Sequence, residues 1–279
     1  MHLLMILLAT IIAGTLRQVI LPNHRNWQIY WLKSLFLFVF PPLLLLTTAI
    51  AIIFMGHHGA MLGLAIGWYG YSLALFLLIY SAVKLIQLAY QGYRTIKKIE
   101  NYPYQQIAGA KAKLLNTSFP YSAEIGFWQS QLVISQGLID TLDEQHLQAV
   151  IAHEQAHYYY RDTFWFFWLG WLKQVFIWLP NTKVLWEELL FLREIRADNR
   201  AKQQIDPILL AESLLSVAKA PLIPPQILTA NLSCTVYPDR LSARIDALLE
   251  ENNKSDYNLG YWWNSIIFLL ALIPLLTVP

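Results

Sequence analysis

Cysteine is almost missing from this chain: Cys234 is the only one in 279 residues. A disulfide within one chain is therefore excluded, which agrees with a reducing compartment and leaves Cys234 to serve as a small buried hydrophobe. Charge is scarce too. Asp, Glu, Lys and Arg make up 14% of the residues, the formal net charge is +2, and there is no Gly-rich phosphate loop, internal repeat or low-complexity tract. A near-balanced chain with no basic stripe offers nothing to direct contact with nucleic acid. With 56% hydrophobic residues, it is also too apolar for a soluble enzyme of this length.

What is abundant is long apolar sequence. Leu3 to Ile20, Ser34 to Met55, Ala60 to about Ile86 and Tyr261 to Val278 each approach the roughly 20 residues that cross a bilayer as a helix. The expected fold class is a mainly α membrane protein with four transmembrane helices. Pro41-Pro42 and Pro274 fall inside these runs, where kinks are tolerated. The first run is no secretory signal, because its first cation, Arg17, follows the apolar stretch. Arg17, Arg25 and Lys33 fill the first loop, the second loop around His57-His58-Gly59 has no Lys or Arg, and Arg94, Lys97, Lys98, Lys111 and Lys113 follow the third run. Positive-inside bias then puts the N-terminus outside the plasma membrane and the long region from Gln91 to Leu259 in the cytoplasm, with the cations at the bilayer boundaries. The expected division is a three-span region (1–90), a cytoplasmic domain (91–258) and a fourth span (259–279).

Within the long region stands His153-Glu154-Gln155-Ala156-His157. On a helix, positions four apart share a face, so both imidazoles can reach one metal while Glu154 leans over the same face. H-E-x-x-H is the pattern of a Zn²⁺ site with a general base built in. Thr141 to Glu144 has the form of a capping box ahead of apolar Leu147, Val150 and Ile151, which makes the motif helical. The plain alternative is two surface histidines on an ordinary helix. Downstream, Glu194 and Asp198 again stand four apart. Glu194 is a candidate third ligand, and Asp198 a carboxylate that could accept the free ring N–H of a metal-bound histidine. Without the motif, the same pair would read as a charged surface face beside Arg193, Arg196 and Arg200.

Gln91 to Leu115 reads as a helix leaving the membrane and then a second, basic helix. Phe119 to Phe127 and Gln131 to Ser135 alternate and suggest a hairpin, closed by a Gln136-Gly137 turn. An extended peptide could add to a free strand edge there. Thr163 to Leu179 is nearly all aromatic and aliphatic. If it crossed the bilayer alone, His157 and Glu194 would lie on opposite sides, so a membrane-associated helix at 163–179 is expected, with a fifth span as the alternative. Tyr237, Arg240 and Arg244 are candidates to stabilise a tetrahedral oxyanion, or else the start of a solvated amphipathic helix.

His153 to His157, followed by Arg161-Asp162, preceded by Gln131 to Leu142, and with Glu194 and Asp198 downstream, resembles the BlaR/MecR-type membrane metallopeptidases. More distantly, Tyr237-Pro238 with Arg244-Ile245 is similar to a segment of the HtpX and prenyl-protein protease family. The resemblance implies a cytoplasmic α+β zincin (gluzincin) domain inserted between the third and fourth of four spans. It implies His153, His157 and Glu194 as zinc ligands, Glu154 as catalytic base and Asp198 as their support. The sequence stops at Pro279, so the outer sensor domain of BlaR/MecR proteins is not expected. The implied activity is zinc metalloendopeptidase, hydrolysing peptide bonds in a protein substrate, with a transcriptional repressor or other regulator in a signalling pathway as the leading candidate. Alternatives are an HtpX-like quality-control protease and a catalytically silent signalling scaffold. Expected partners are the substrate, membrane lipid, and a second copy of the chain or a separate sensor protein.

Overall fold

The computed structural model describes residues 2–19, 27–56, 60–61, 64–65, 68–218, 240–250 and 271–276. The chain divides into two compact units, one of residues 1–87, 171–190 and 254–279, the other of residues 88–170 and 191–253.

In the first unit, α1 (His2–Arg17) packs on α2 (Trp27–Met55), β1 (Ala60–Met61) pairs with β2 (Leu64–Ala65), and α3 (Trp68–Glu100) begins, its residues from 88 on belonging to the second unit. Two of the expected spans, α2 with 29 residues and α3 with 33, are long and apolar enough to cross a membrane. The first, α1, has 16 residues and rises about 24 Å, short of the roughly 30 Å hydrocarbon core. Of the fourth, only residues 271–276 are described, including the single turn α10 (Ile273–Leu276); the remainder lies outside the described residues.

Pro41 and Pro42 sit inside α2 without ending it. Proline at 42 removes the N–H that would bond the Phe38 carbonyl four residues back. Arg17 takes that place, its Nη2 donating to Phe38 O at 2.9 Å and its Nη1 to Thr182 Oγ1 at 3.1 Å. The guanidinium lies over the Phe38 ring, 5.2 Å from its centroid, and Asn181 Nδ2 donates to the Arg17 carbonyl at 2.7 Å. Arg17, read from the sequence as a boundary cation, is thus fully buried, with hydrogen bonds from Nη1 and Nη2.

The second unit is built on a four-stranded sheet. Its strands are β3 (Tyr104–Ile107), β4 (Ala110–Leu115), β5 (Ser122–Ile125) and β6 (Gln131–Ser135), in the order β3-β4-β6-β5. Neighbours are antiparallel except β4 with β6, which are parallel. The basic helix expected before Leu115 is a hairpin instead. Ala108 and Gly109 both have positive φ, 44° and 86°, the two-residue turn whose twist matches paired strands. The expected second hairpin forms, as β5 and β6. One face of the sheet packs Leu115, Ala123, Ile125 and Val133 against Ile99 of α3; the other packs Ala112, Leu132 and Ile134 against Leu147, Val150 and Ile151 of a helix.

That helix is α5 (Glu144–Tyr160), reached through the short α4 (Gln136–Thr141) rather than a simple turn. Its N-cap is Asp143, whose Oδ1 accepts from His146 N at 2.9 Å. Thr141 cannot serve, because its hydroxyl donates to Gly137 O within α4. Gly137 itself is dictated by packing, since a Cβ there would lie 2.2 Å from Ser118 O. The chain continues through α6 (Asp162–Val175), α7 (Thr182–Ala201), α8 (Pro207–Ala218) and α9 (Leu241–Leu249). The aromatic α6 has 14 residues, a rise of about 21 Å, too short for a span of its own.

Candidate metal centre

Helix α5 presents Leu147, Val150 and Ile151 to the sheet, and the same periodicity brings His153, Glu154 and His157 inside, each less than a tenth exposed. From α7, Glu194 and Asp198, one turn apart, are buried as well. The ligand atoms of His153, His157 and Glu194 all lie within 4.8 Å of one another. His153 Nε2 is 3.2 Å from His157 Nε2 and 3.3 Å from Glu194 Oε2, and His157 Nε2 is 3.8 Å from Glu194 Oε1.

The opposite ring nitrogens set the tautomers. His153 Nδ1 is 2.8 Å from Asp198 Oδ1 and His157 Nδ1 is 2.7 Å from Asp162 Oδ2. A carboxylate is acceptor-only, so wherever a ring is neutral its proton belongs on Nδ1 and Nε2 keeps its lone pair toward the cluster; His157 Nδ1 is hydrogen-bonded to Asp162, whereas His153 Nδ1 lies close to Asp198 without hydrogen-bond geometry. Two lone pairs and a carboxylate converging in a buried space repel one another until a cation sits between them. The donor set of two imidazole nitrogens and one Glu oxygen fits zinc, with a fourth position left open.

Asp162 was seen in the sequence only as part of a motif, without a role. It meets His157 because Arg161, in the left-handed region at φ 52°, ends α5 just before it. Arg196 Nη2 donates to Asp162 Oδ1 on its other side. The signal available in the sequence was an Asp five residues past the second His, just beyond a helix end.

Charges around this cluster are arranged to keep carboxylates ionised. Burial alone would push the Glu194 carboxyl up, but the Arg193 guanidinium, with Nε and Nη2 at 3.1 and 2.9 Å from Oε1, and His157 hold it well below the usual range. Burial likewise opposes ionisation of Asp198, and Arg244 with His153 outweighs it. For His153, burial favours the neutral ring while Asp198 beside it raises its pKa above the ordinary value.

Glu154 is held differently. Ser122 Oγ of β5 donates to Glu154 Oε1 at 2.7 Å, while Glu154 Oε2 is buried with no hydrogen-bond partner. Ser122 also escaped the sequence reading; its position facing α5 follows from strand register, which the sequence does not print.

Residues 111–221 match peptidase family M48. The matched stretch runs from β4 to just past α8 and includes both histidines, Glu154, Asp162, Glu194 and Asp198. This M48-like stretch therefore contains the whole constellation, and the match supports a metallopeptidase there. No curated protein matches the chain.

Beyond the M48-like stretch lie the three expected oxyanion partners. Tyr237 falls outside the described residues. Arg240 stacks on the Phe191 ring, 5.0 Å from its centroid. Arg244, on α9, is buried against Asp198 and Glu194, with Nη1 3.5 Å from Glu194 Oε2.

Proposed function

We propose that this protein is a zinc-dependent metalloendopeptidase, embedded in a membrane through α2 and α3, that hydrolyses peptide bonds of a protein substrate. The observation that carries this reading is the convergence of His153 Nε2, His157 Nε2 and a Glu194 oxygen within 4.8 Å, beside a general base with one free buried oxygen.

His153, His157 and Glu194 would hold the ion, which when bound supplies Lewis acidity that acidifies water to a pKa near 7 and polarises a carbonyl. Glu154 Oε2, buried without a donor, takes the proton of the attacking water and later returns it to the leaving amine. Ser122 anchors the other oxygen, so the base keeps one geometry throughout. Asp162, hydrogen-bonded to His157 Nδ1, and Asp198, 2.8 Å from His153 Nδ1, orient the two rings and raise their basicity. Arg244, bound to Asp198 and close to Glu194, acts on the site by holding these carboxylates.

Metal analysis of the purified protein should find about one zinc per chain, as a single His₂Glu site requires, and Glu154→Ala should retain the metal and lose all cleavage. A Glu154→Ala protein that still cuts would refute the assignment. The substrate is a protein regulator, such as a repressor, or misassembled membrane proteins at large. Comparing the proteomes of wild-type and Glu154→Ala cells separates these: one stabilised protein speaks for regulation, many for quality control.

A further inference from the structure

Two polar acceptors near α5 have no donor: Oε2 of Glu124 and Oε1 of Gln131. Both residues line a cavity of about 340 Å³ in the second unit, together with Tyr104, Lys111, Ser130, Gln155 and Tyr158. Glu124 is 4% exposed. Its carboxyl receives one hydrogen bond, from Ser130, while burial and then the charge of Glu154 push its pKa up to about 7. The proposed mechanism does not use this group, and a buried carboxyl with an idle oxygen is costly to keep.

Its position relates it to the metal centre. Ser122 and Glu124 are two apart on β5 and so project from the same face. Ser122 on that face bonds Glu154, which puts Glu124 about 7 Å further along the strand from the general base. Strand β5 is the terminal strand of its sheet, paired with β6 on one side. An extended peptide adding to its other edge would run along Ser122 to Ile125, and a peptide bond at Glu154 would bring a side chain two or three residues away to Glu124.

The lining selects the chemistry of that side chain. Glu124 and Gln131 offer acceptors, so an apolar group would leave both unpaired. An acidic group would meet Glu124 and, nearby, Glu154. Of the lysines of β4, Lys111, which lines the cavity, turns its Nζ onto the Tyr104 ring, 4.3 Å from the centroid, and Lys113 Nζ donates to Glu100 O at 2.8 Å. One carboxylate and one amide are too few oxygens to cage a divalent cation. What remains is an organic cation on a flexible stem. We propose that this cavity is a substrate side-chain pocket, taking the ammonium or guanidinium of a Lys or Arg within three residues of the scissile bond, with Glu124 as the specificity-determining carboxylate. The proposal rests on the peptidase reading for what the pocket serves, and its binding can be measured without turnover.

Two measurements on the full-length protein test it. In the cleavage-dead Glu154→Ala background, fluorescein-labelled decapeptides differing only by a central Lys or norleucine are titrated by anisotropy. The Lys peptide should bind about tenfold tighter, as a charge-assisted hydrogen bond supports. Adding Glu124→Gln, which keeps size and shape, should erase the difference. Equal affinities before Glu124 is changed, or an undiminished Lys preference after, would overturn the pocket. With the wild-type protein, β-casein fragments mapped by mass spectrometry should show Lys or Arg enriched within three positions of the cuts, and Glu124→Gln should remove the enrichment. Cleavage with an unchanged pattern in Glu124→Gln defeats the pocket and leaves the peptidase standing. A Glu124-dependent Lys preference in binding, with no zinc-dependent cleavage, defeats the peptidase and leaves the pocket standing.

Discussion

Arg244 on α9 grips Asp198 on α7 with two parallel hydrogen bonds, Nε to Oδ2 and Nη2 to Oδ1, each 2.9 Å long. Asp198 in turn stands 2.8 Å from Nδ1 of His153. Guanidinium, carboxylate and imidazole therefore stand in a buried row from α9 to the candidate metal centre. The forked pairing suits Arg alone among the cations, because its planar donors match both carboxylate oxygens at once.

Removing one partner of such a pair strands the other as a buried charge. Arg244→Ala should cost about 3–5 kcal/mol of stability and weaken zinc binding about tenfold to a hundredfold through the freed Asp198. Arg244→Lys should restore little, since an ammonium cannot make the fork. Unfolding midpoints and chelator competition on the three proteins check this; an Arg244→Lys protein equal to wild type would contradict it.

Asp162 is expected to matter as much for zinc as Asp198. Asp162→Ala leaves His157 Nδ1 and Arg196 without their acceptor, and zinc affinity should fall about tenfold to a hundredfold. Arg161→Gly is the control: glycine is at ease at φ 52°, so it should retain wild-type affinity. The same chelator competition reads both.

Gly137→Ala places a Cβ 2.2 Å from a backbone oxygen, that of Ser118. Neither main chain can yield cheaply, and the variant should lose about 1–3 kcal/mol, as overpacked sites do. The Thr117 carbonyl, which accepts from Gly137 N at 2.8 Å, would be pulled from register with it. Thermal unfolding of the variant against wild type decides it.

Glu124 makes stability depend on pH. Its pKa is about 7 in the folded chain against an ordinary 4.5, so between these values the folded state holds a proton that the unfolded state has lost. Stability falls as pH rises through that window and the penalty is complete above about pH 7. A gap of this size corresponds to at most about 3 kcal/mol. Glu124→Gln, which cannot ionise, should gain stability over wild type between pH 5 and pH 8. An unchanging difference across that range would contradict it.

Much of the site was legible without a fold. The spacing of His153 and His157 is a helical turn whatever surrounds it, and Glu194 and Asp198 share a face for the same reason. Local periodicity also announced the β5–β6 hairpin. It misled at Ala110 to Leu115, where the lysines suggested a helix, because the deciding event was the pairing of β4 with β6, a contact between residues about twenty apart in sequence.

The sequence by itself determined what local geometry can encode: His153, Glu154 and His157 on one helix, Glu194 and Asp198 a turn apart, and a composition that asks for apolar helices. Tertiary structure alone decided which side chains act through others. Asp162 reaches His157 only because α5 ends in a left-handed residue, and Ser122 reaches Glu154 only through strand register. Arg244, read as a partner for substrate, is claimed by Asp198, 46 positions earlier in the chain. Such pairings depend on which buried charge finds which partner, and burial is a property of the packed chain that no window of sequence contains.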